Sequence, residues 1–112
     1  MEDWKGEGDM KETISALSKE YIRVKVDAEK SGVTYDPTGD VVTFAFTTVN
    51  SPVGATWLAG TWETVNGEHF ARCMVGPAGT VTLVAGNTYI VWVKITDSPE
   101  VPIKNAGILQ VI

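Results

Sequence analysis

His69 and Cys73 are the one histidine and the one cysteine of the chain. Any acid–base, nucleophilic or zinc chemistry would have to start from them. His69 sits just past a hairpin tip, with no Asp, Ser or Cys placed beside it in sequence as a partner for base catalysis. It reads as a solvated turn residue. Cys73 falls on the apolar face of its strand and is expected to be an inert core thiol. One His and one Cys do not make a zinc site, and Asp36 with Asp40 reads as a turn pair rather than a calcium loop. Gly76 and Gly79 flank Pro77, but no Lys-Ser or Lys-Thr follows, so no phosphate loop is implied. Glu63 and Arg72 face each other diagonally across a hairpin and are expected to form an exposed ion pair of small energetic weight. The expectation is a non-enzyme with no catalytic residues, no metal and no cofactor.

Composition narrows the partners. The chain has 112 residues, which fits one domain, and a formal charge of −5. Its nine Lys and Arg residues are scattered singly, so no basic stripe exists to displace counterions from a nucleic acid. No apolar run reaches the length of a spanning helix, and the acidic start MEDWKGEGDMKE is unlike a signal peptide. No nucleic acid and no membrane are expected as partners. A single cysteine excludes an internal disulfide and fits a reducing cytoplasm.

Two regions differ in pattern. Residues 1–19 form an expected N-terminal arm: Gly6 and Gly8 give a flexible, acidic start with one aromatic, Trp4. Asp9 and Glu12 then have capping-box spacing before Met10, Ile14 and Leu17 at helical spacing. A short helix over about residues 10–18 is predicted, marginal on its own. Residues 20–112 have period two. Ile22, Val24, Val26 and Ala28 alternate with polar residues, Val42, Phe44 and Phe46 share a face, and Asn66-Gly67 is a strong hairpin signal. A short strand is predicted at Val81 to Val84 and a last strand at about Ala106 to Ile112. Seven or eight strands with regular turn signals predict an all-β, immunoglobulin-like antiparallel sandwich.

The hairpin pairs Val65 with Glu68, Glu63 with Phe70 and Trp62 with Ala71. That puts Leu58, Gly60, Trp62, Ala71, Cys73 and Val75 inward, and Tyr89, Val91, Val93 and Ile95 inward on a later strand. Tyr89 opens that strand as a tyrosine corner does, with Val91 where antibody domains carry their second cysteine. Trp57, Phe70, Met74, Ile90 and Trp92 point outward. They form one aromatic patch if their strands share a sheet. With Trp4, Met10, Ile14 and Leu17 of the arm they make up the candidate interface. The arm's helix would either cover this patch or grip a neighbouring subunit.

The segments DPTGDVVTFAFT (36 to 47), WLAGTWE (57 to 63), ARCMVGPAGTVTLVAGNTYIVWVKITDSPEVP (71 to 102) and NAGILQVI (105 to 112) resemble a group of small β-sandwich proteins. These are encoded among the head and connector genes of tailed bacteriophages and prophages, particularly of actinobacterial hosts. The resemblance covers most of the chain after Thr34 and none of the first 20 residues. It implies a virion structural protein, assembled in the bacterial cytoplasm, whose partners are other virion proteins: the major capsid protein, copies of itself, or both. A capsid decoration or minor capsid protein is the leading expectation. A ring-forming head–tail connector or tail component is the alternative, and a carbohydrate-binding sandwich using Trp57 or Trp92 as a stacking platform is a third.

Overall fold

The computed structural model describes residues 3–6 and 10–112, and alternating apolar and polar residues fold more than half of them into strands. In chain order these are β1 (Asp3–Gly6), β2 (Met10–Ile14), β3 (Glu20–Lys30), β4 (Val33–Tyr35), β5 (Val41–Thr47), β6 (Leu58–Ala59), β7 (Thr61–Val65), β8 (Glu68–Val75), β9 (Thr88–Thr96) and β10 (Ile103–Val111). They form two packed sheets. The first has the order β1-β3-β8-β7, with β4 paired to β3, and the second has the order β2-β10-β9-β5-β6. The fold is an all-β sandwich.

Each inner face is the apolar half of an alternation. Ile22, Val24, Val26 and Ala28 of β3 and Ala71, Cys73 and Val75 of β8 meet Val42 and Phe44 of β5, Val91, Val93 and Ile95 of β9, and Leu109 and Val111 of β10. All are buried. The Val, Ile, Leu and Phe side chains among them contribute roughly 1.5–3 kcal/mol each when removed from water. The hairpin takes the expected register, pairing Trp62 with Ala71 and Glu63 with Phe70. Asn66 and Gly67 both have positive φ, 51° and 78°, the geometry of a two-residue turn that matches strand twist. The chain changes sheets at Gly60, between β6 on β5 and β7 on β8. A β-carbon there would lie 2.9 Å from the Phe44 ring, so a side chain at the crossover would displace the largest fully buried residue.

Tyr89 anchors the start of β9 through its hydroxyl. The Val84 amide donates to its hydroxyl at 3.0 Å, tying the loop before β9 to the start of that strand. The strand expected at Val81 to Val84 is reduced to a single bridge between Val75 and Val81.

The N-terminal segment departs from expectation. Met10–Ile14 is a strand, not the start of a helix, and runs parallel to β10 with Met10 opposite Gly107 and Ile14 opposite Val111. Upstream, β1 pairs antiparallel with β3, setting Trp4 opposite Ala28. The segment is thus stitched to both sheets. The reason is a coincidence of periods: residues i and i+4 share a face in a helix and in a strand alike. Leu17 would separate the two, and it is 89% exposed, in a turn closed by the Ser18 amide on the Ser15 carbonyl at 3.0 Å. Residues 1–2 and 7–9, on which part of the expected flexible arm falls, lie outside the described residues, as does the Trp4 side chain.

Candidate interaction surface

Strand alternation sorts the candidate interface residues onto different surfaces. Met10 and Ile14 point inward, Ile14 only 5% exposed within the core, and Leu17 lies in the turn after β2. Phe70 and Met74 are on β8 in the first sheet, whereas Ile90 and Trp92 are on β9 in the second. The expected single patch of Trp57, Phe70, Met74, Ile90 and Trp92 is therefore split between two opposite outer faces. Alternation tells which residues share a face of a strand, but not which strands share a sheet.

The two outer faces are chemically unlike. On the first sheet Arg23 and Arg72 both reach Glu63, at 3.3 Å each, and Lys25 reaches Glu68 at 3.3 Å. The Arg72 guanidinium also stacks on Tyr21, 4.2 Å from the ring centre. Asp27 and Glu29 continue this charged row along β3. Such a face is well solvated, and its partly exposed ion pairs add little stability.

On the second sheet the outward rows are Val41, Thr43, Ala45 and Thr47 on β5, Thr88, Ile90, Trp92, Lys94 and Thr96 on β9, and Ile103, Asn105, Ile108 and Gln110 on β10. Lys11 and Thr13 of β2 and Ala59 of β6 extend it. Among the described residues this face carries no side-chain carboxylate, and Lys11 and Lys94 are its only charges. The tryptophans lie along it rather than standing off. Trp92 is opposite Ala45 and its indole N–H donates to the Thr47 hydroxyl at 2.8 Å, so the ring leans across β5 and Ala45 is fully buried. The Lys94 ammonium sits 4.3 Å from the centre of the Trp57 ring. Lys94 and Ala59 flank Thr43 on either side, whose hydroxyl oxygen is buried without a hydrogen-bond partner among the described residues. A buried hydroxyl left unpaired carries a cost of about 1–3 kcal/mol.

The residues with chemical potential lie at one end of the first sheet. There β3 leaves β8 after Lys25 and takes up β4 from Ala28, opening a cleft of about 340 Å3 lined by Lys25, Asp27, Thr34, Tyr35, Glu68 and His69. The fold brings His69 two partners that its sequence neighbours do not supply. Thr64 Oγ1 is 2.9 Å from Nδ1, and Asp36 Oδ1 is 3.7 Å from Nε2. The order hydroxyl, imidazole, carboxylate resembles an acyl-transfer relay, but 3.7 Å is beyond a hydrogen bond. That carboxylate oxygen already accepts from the Thr38 hydroxyl at 2.7 Å and the Thr38 amide at 3.0 Å. These bonds hold the Asp36 pKa below the usual value and fix the 3-10 turn Pro37–Gly39. Asp40 closes the same turn, accepting from the Tyr35 hydroxyl at 3.0 Å on its carboxylate and from the Trp62 indole at 2.9 Å on its carbonyl. Both aspartates act as turn residues. Cys73 is buried, which pushes its thiol up to about 11, so it is protonated at neutral pH and a poor nucleophile.

Sequence reasoning missed the His69 neighbours because Thr64 and Asp36 reach it from another strand and another loop. It also missed the charge-poor outer face around Thr43, Ala45 and Lys94. That face was readable from the Thr-Ala-Thr outward row of β5, once β5 was set beside β9.

No protein-family model matches this chain, and no curated protein or solved structure matches it significantly.

Proposed function

We propose that this domain is a non-enzymatic structural module of a bacteriophage virion, an immunoglobulin-like sandwich that decorates the capsid shell. Its docking surface is the outer face of the β2-β10-β9-β5-β6 sheet, and its partners are other virion proteins. The observation that carries the assembly reading is the segregation of charge between the two outer faces. One is laced with ion pairs, and the other offers Ile90, Trp92, Ile103 and Ile108 with no acidic side chain among the described residues. A sheet face on which the described residues place no carboxylate is a surface suited to desolvation.

The immunoglobulin-like reading is supported by strand order. Taking β1, β3, β8 and β7 as A, B, E and D, and β10, β9 and β5 as G, F and C, reproduces the two sheets of that architecture. Tyr89 stands at the start of the F position with its hydroxyl bonded back to the Val84 amide. The virion reading comes from the sequence resemblance, and it places the protein in particles assembled in the host cytoplasm. Against a glycan platform, one face of Trp57 is already covered by Lys94, so a sugar would have to displace that cation to stack there.

Densitometry of purified particles tests the decoration role. Hundreds of copies per particle are expected. A copy number that matches a single ring would assign the domain to the head–tail connector instead, and absence from particles would overturn the virion role.

A further inference from the structure

We infer that the free edge of β7 is a strand-addition site, where an extended, neutral or basic segment of another protein lengthens the first sheet beyond β7. This edge is separate from the outer face of the second sheet, and the inference does not depend on that face.

The hairpin register decides which backbone groups are open. A two-residue loop makes the residues that close it, Val65 and Glu68, exchange hydrogen bonds, and the alternation then bonds Glu63 to Phe70 and Thr61 to Arg72. The N–H and C=O groups of Trp62 and Thr64 therefore point away from β8. The far end of β8 keeps the same alternation: past the end of β7, the Met74 carbonyl accepts from the Thr80 amide at 2.8 Å. Among the described residues no group meets the main chain of Trp62 or Thr64 on the open side. A row of alternating donors and acceptors complements one kind of object, another extended backbone. The Gly60 crossover at one end and the Asn66-Gly67 turn at the other confine the added strand to the five residues of β7.

Other edges are guarded and this one is not. Edge strands resist pairing when they are short or carry charged side chains. β6 has two residues and β4 three, β1 ends after four at Gly6, and β2 carries Lys11 and Glu12. The one charge on β7, Glu63, is drawn back over the sheet by Arg72 of β8 and Arg23 of β3, at 3.3 Å each. Side chains then set the pattern of the partner. The Trp62 indole is fixed at the rim of the sandwich by its bond to the Asp40 carbonyl at 2.9 Å, so the inward residue laid beside it is apolar. Outward, the added strand runs beside Val65, which is 46% exposed, where a β-branched residue packs well. A formal charge of −5 disfavours an acidic segment.

The test is an amide NMR titration of the full chain with a capped eight-residue peptide that alternates threonine and valine between terminal lysines. About 2 mM peptide fills two-thirds of a site whose Kd is about 1 mM. The peptide should shift the Trp62 and Thr64 amide signals and slow their hydrogen exchange about threefold, as that filling requires. The same peptide with a central proline, which lacks a donor, should do neither. Thr64→Pro removes an N–H that the hairpin does not use, so it should fold and lose the peptide, whereas Thr64→Ala should bind as the native chain does. A native chain unchanged at about 2 mM peptide, or shifts centred on β2 or the second sheet, overturns strand addition. Equal binding of the proline peptide, or undiminished binding by Thr64→Pro, overturns it too. If Thr64→Pro fails to fold, the two peptides on the native chain still decide the question.

Discussion

Gly107 faces Met10 so closely that a β-carbon on Gly107 would overlap the Met10 carbonyl oxygen. The glycine follows a register shift in β10 and has a φ of 134°, a conformation that side chains disfavour. The bulge and the missing side chain together make the slot into which β2 fits. The N-terminal strand is therefore a built part of the sandwich, with Ile14 in the core.

Gly107→Val should accordingly destabilise the fold by about 3 kcal/mol, combining backbone strain with overlap against β2. Urea unfolding reads this directly. A midpoint unchanged from the native protein would mean that β2 does not depend on the slot. Deleting residues 1–14 should also destabilise the domain, in contrast to a detachable arm.

Tyr89→Phe keeps the ring and removes the acceptor of the Val84 amide. The loss should be about 1 kcal/mol, the usual worth of one such bond. Equal denaturation midpoints for the two proteins would reduce Tyr89 to a packing residue.

Phe44 is fully buried at the centre of the core, and Phe44→Ala should cost about 3–5 kcal/mol. Trp92 is half-buried on an outer face, so Trp92→Ala should cost clearly less in the isolated domain despite its larger ring. Equal losses in thermal or urea unfolding would contradict the inside–outside assignment of β9.

Glu12 shares a face of β2 with Met10 and Ile14, and burial and then repulsion from Glu20 raise its pKa above 4.5, with Arg23 opposing. A carboxyl whose folded value is raised contributes stability below the unfolded value. That contribution is lost as pH rises through the folded value. At neutral pH the charged Glu12 is therefore unfavourable, and Glu12→Gln should raise the melting temperature at pH 7. The gain should vanish near pH 3, where both proteins are neutral at this site. A variant that melts lower at pH 7 would show Glu12 making a favourable contact instead.

Much of this fold is legible in the sequence. The alternation in Ile22 to Ala28 and in Tyr89 to Ile95 names both the strands and their buried faces, and Asn66-Gly67 fixes a hairpin and its register. Tyr89 marks the loop that it tethers. Met10 and Ile14 misled, because their spacing satisfies two periods and only the partner strand decides between them. The candidate interface misled for a different reason. Phe70 and Trp92 are both outward, but outward from different sheets, and sheet membership is a long-range property that local periodicity does not carry. The contrast between the rows Arg23, Lys25, Asp27, Glu29 and Thr43, Ala45, Thr47 was present in the sequence. It gained meaning only when the first row was set on one sheet and the second on the other.

The central claim, assembly through the charge-poor face, is tested most directly by particle incorporation of two matched variants. Ile108→Glu and Met74→Glu each place one new carboxylate on an outer face, the first on the second sheet and the second on the first sheet. Particles produced with Ile108→Glu should lack the protein on gel densitometry, while those produced with Met74→Glu should carry it at the native copy number. Native loading of the Ile108→Glu protein, or selective loss of the Met74→Glu protein, would contradict the account.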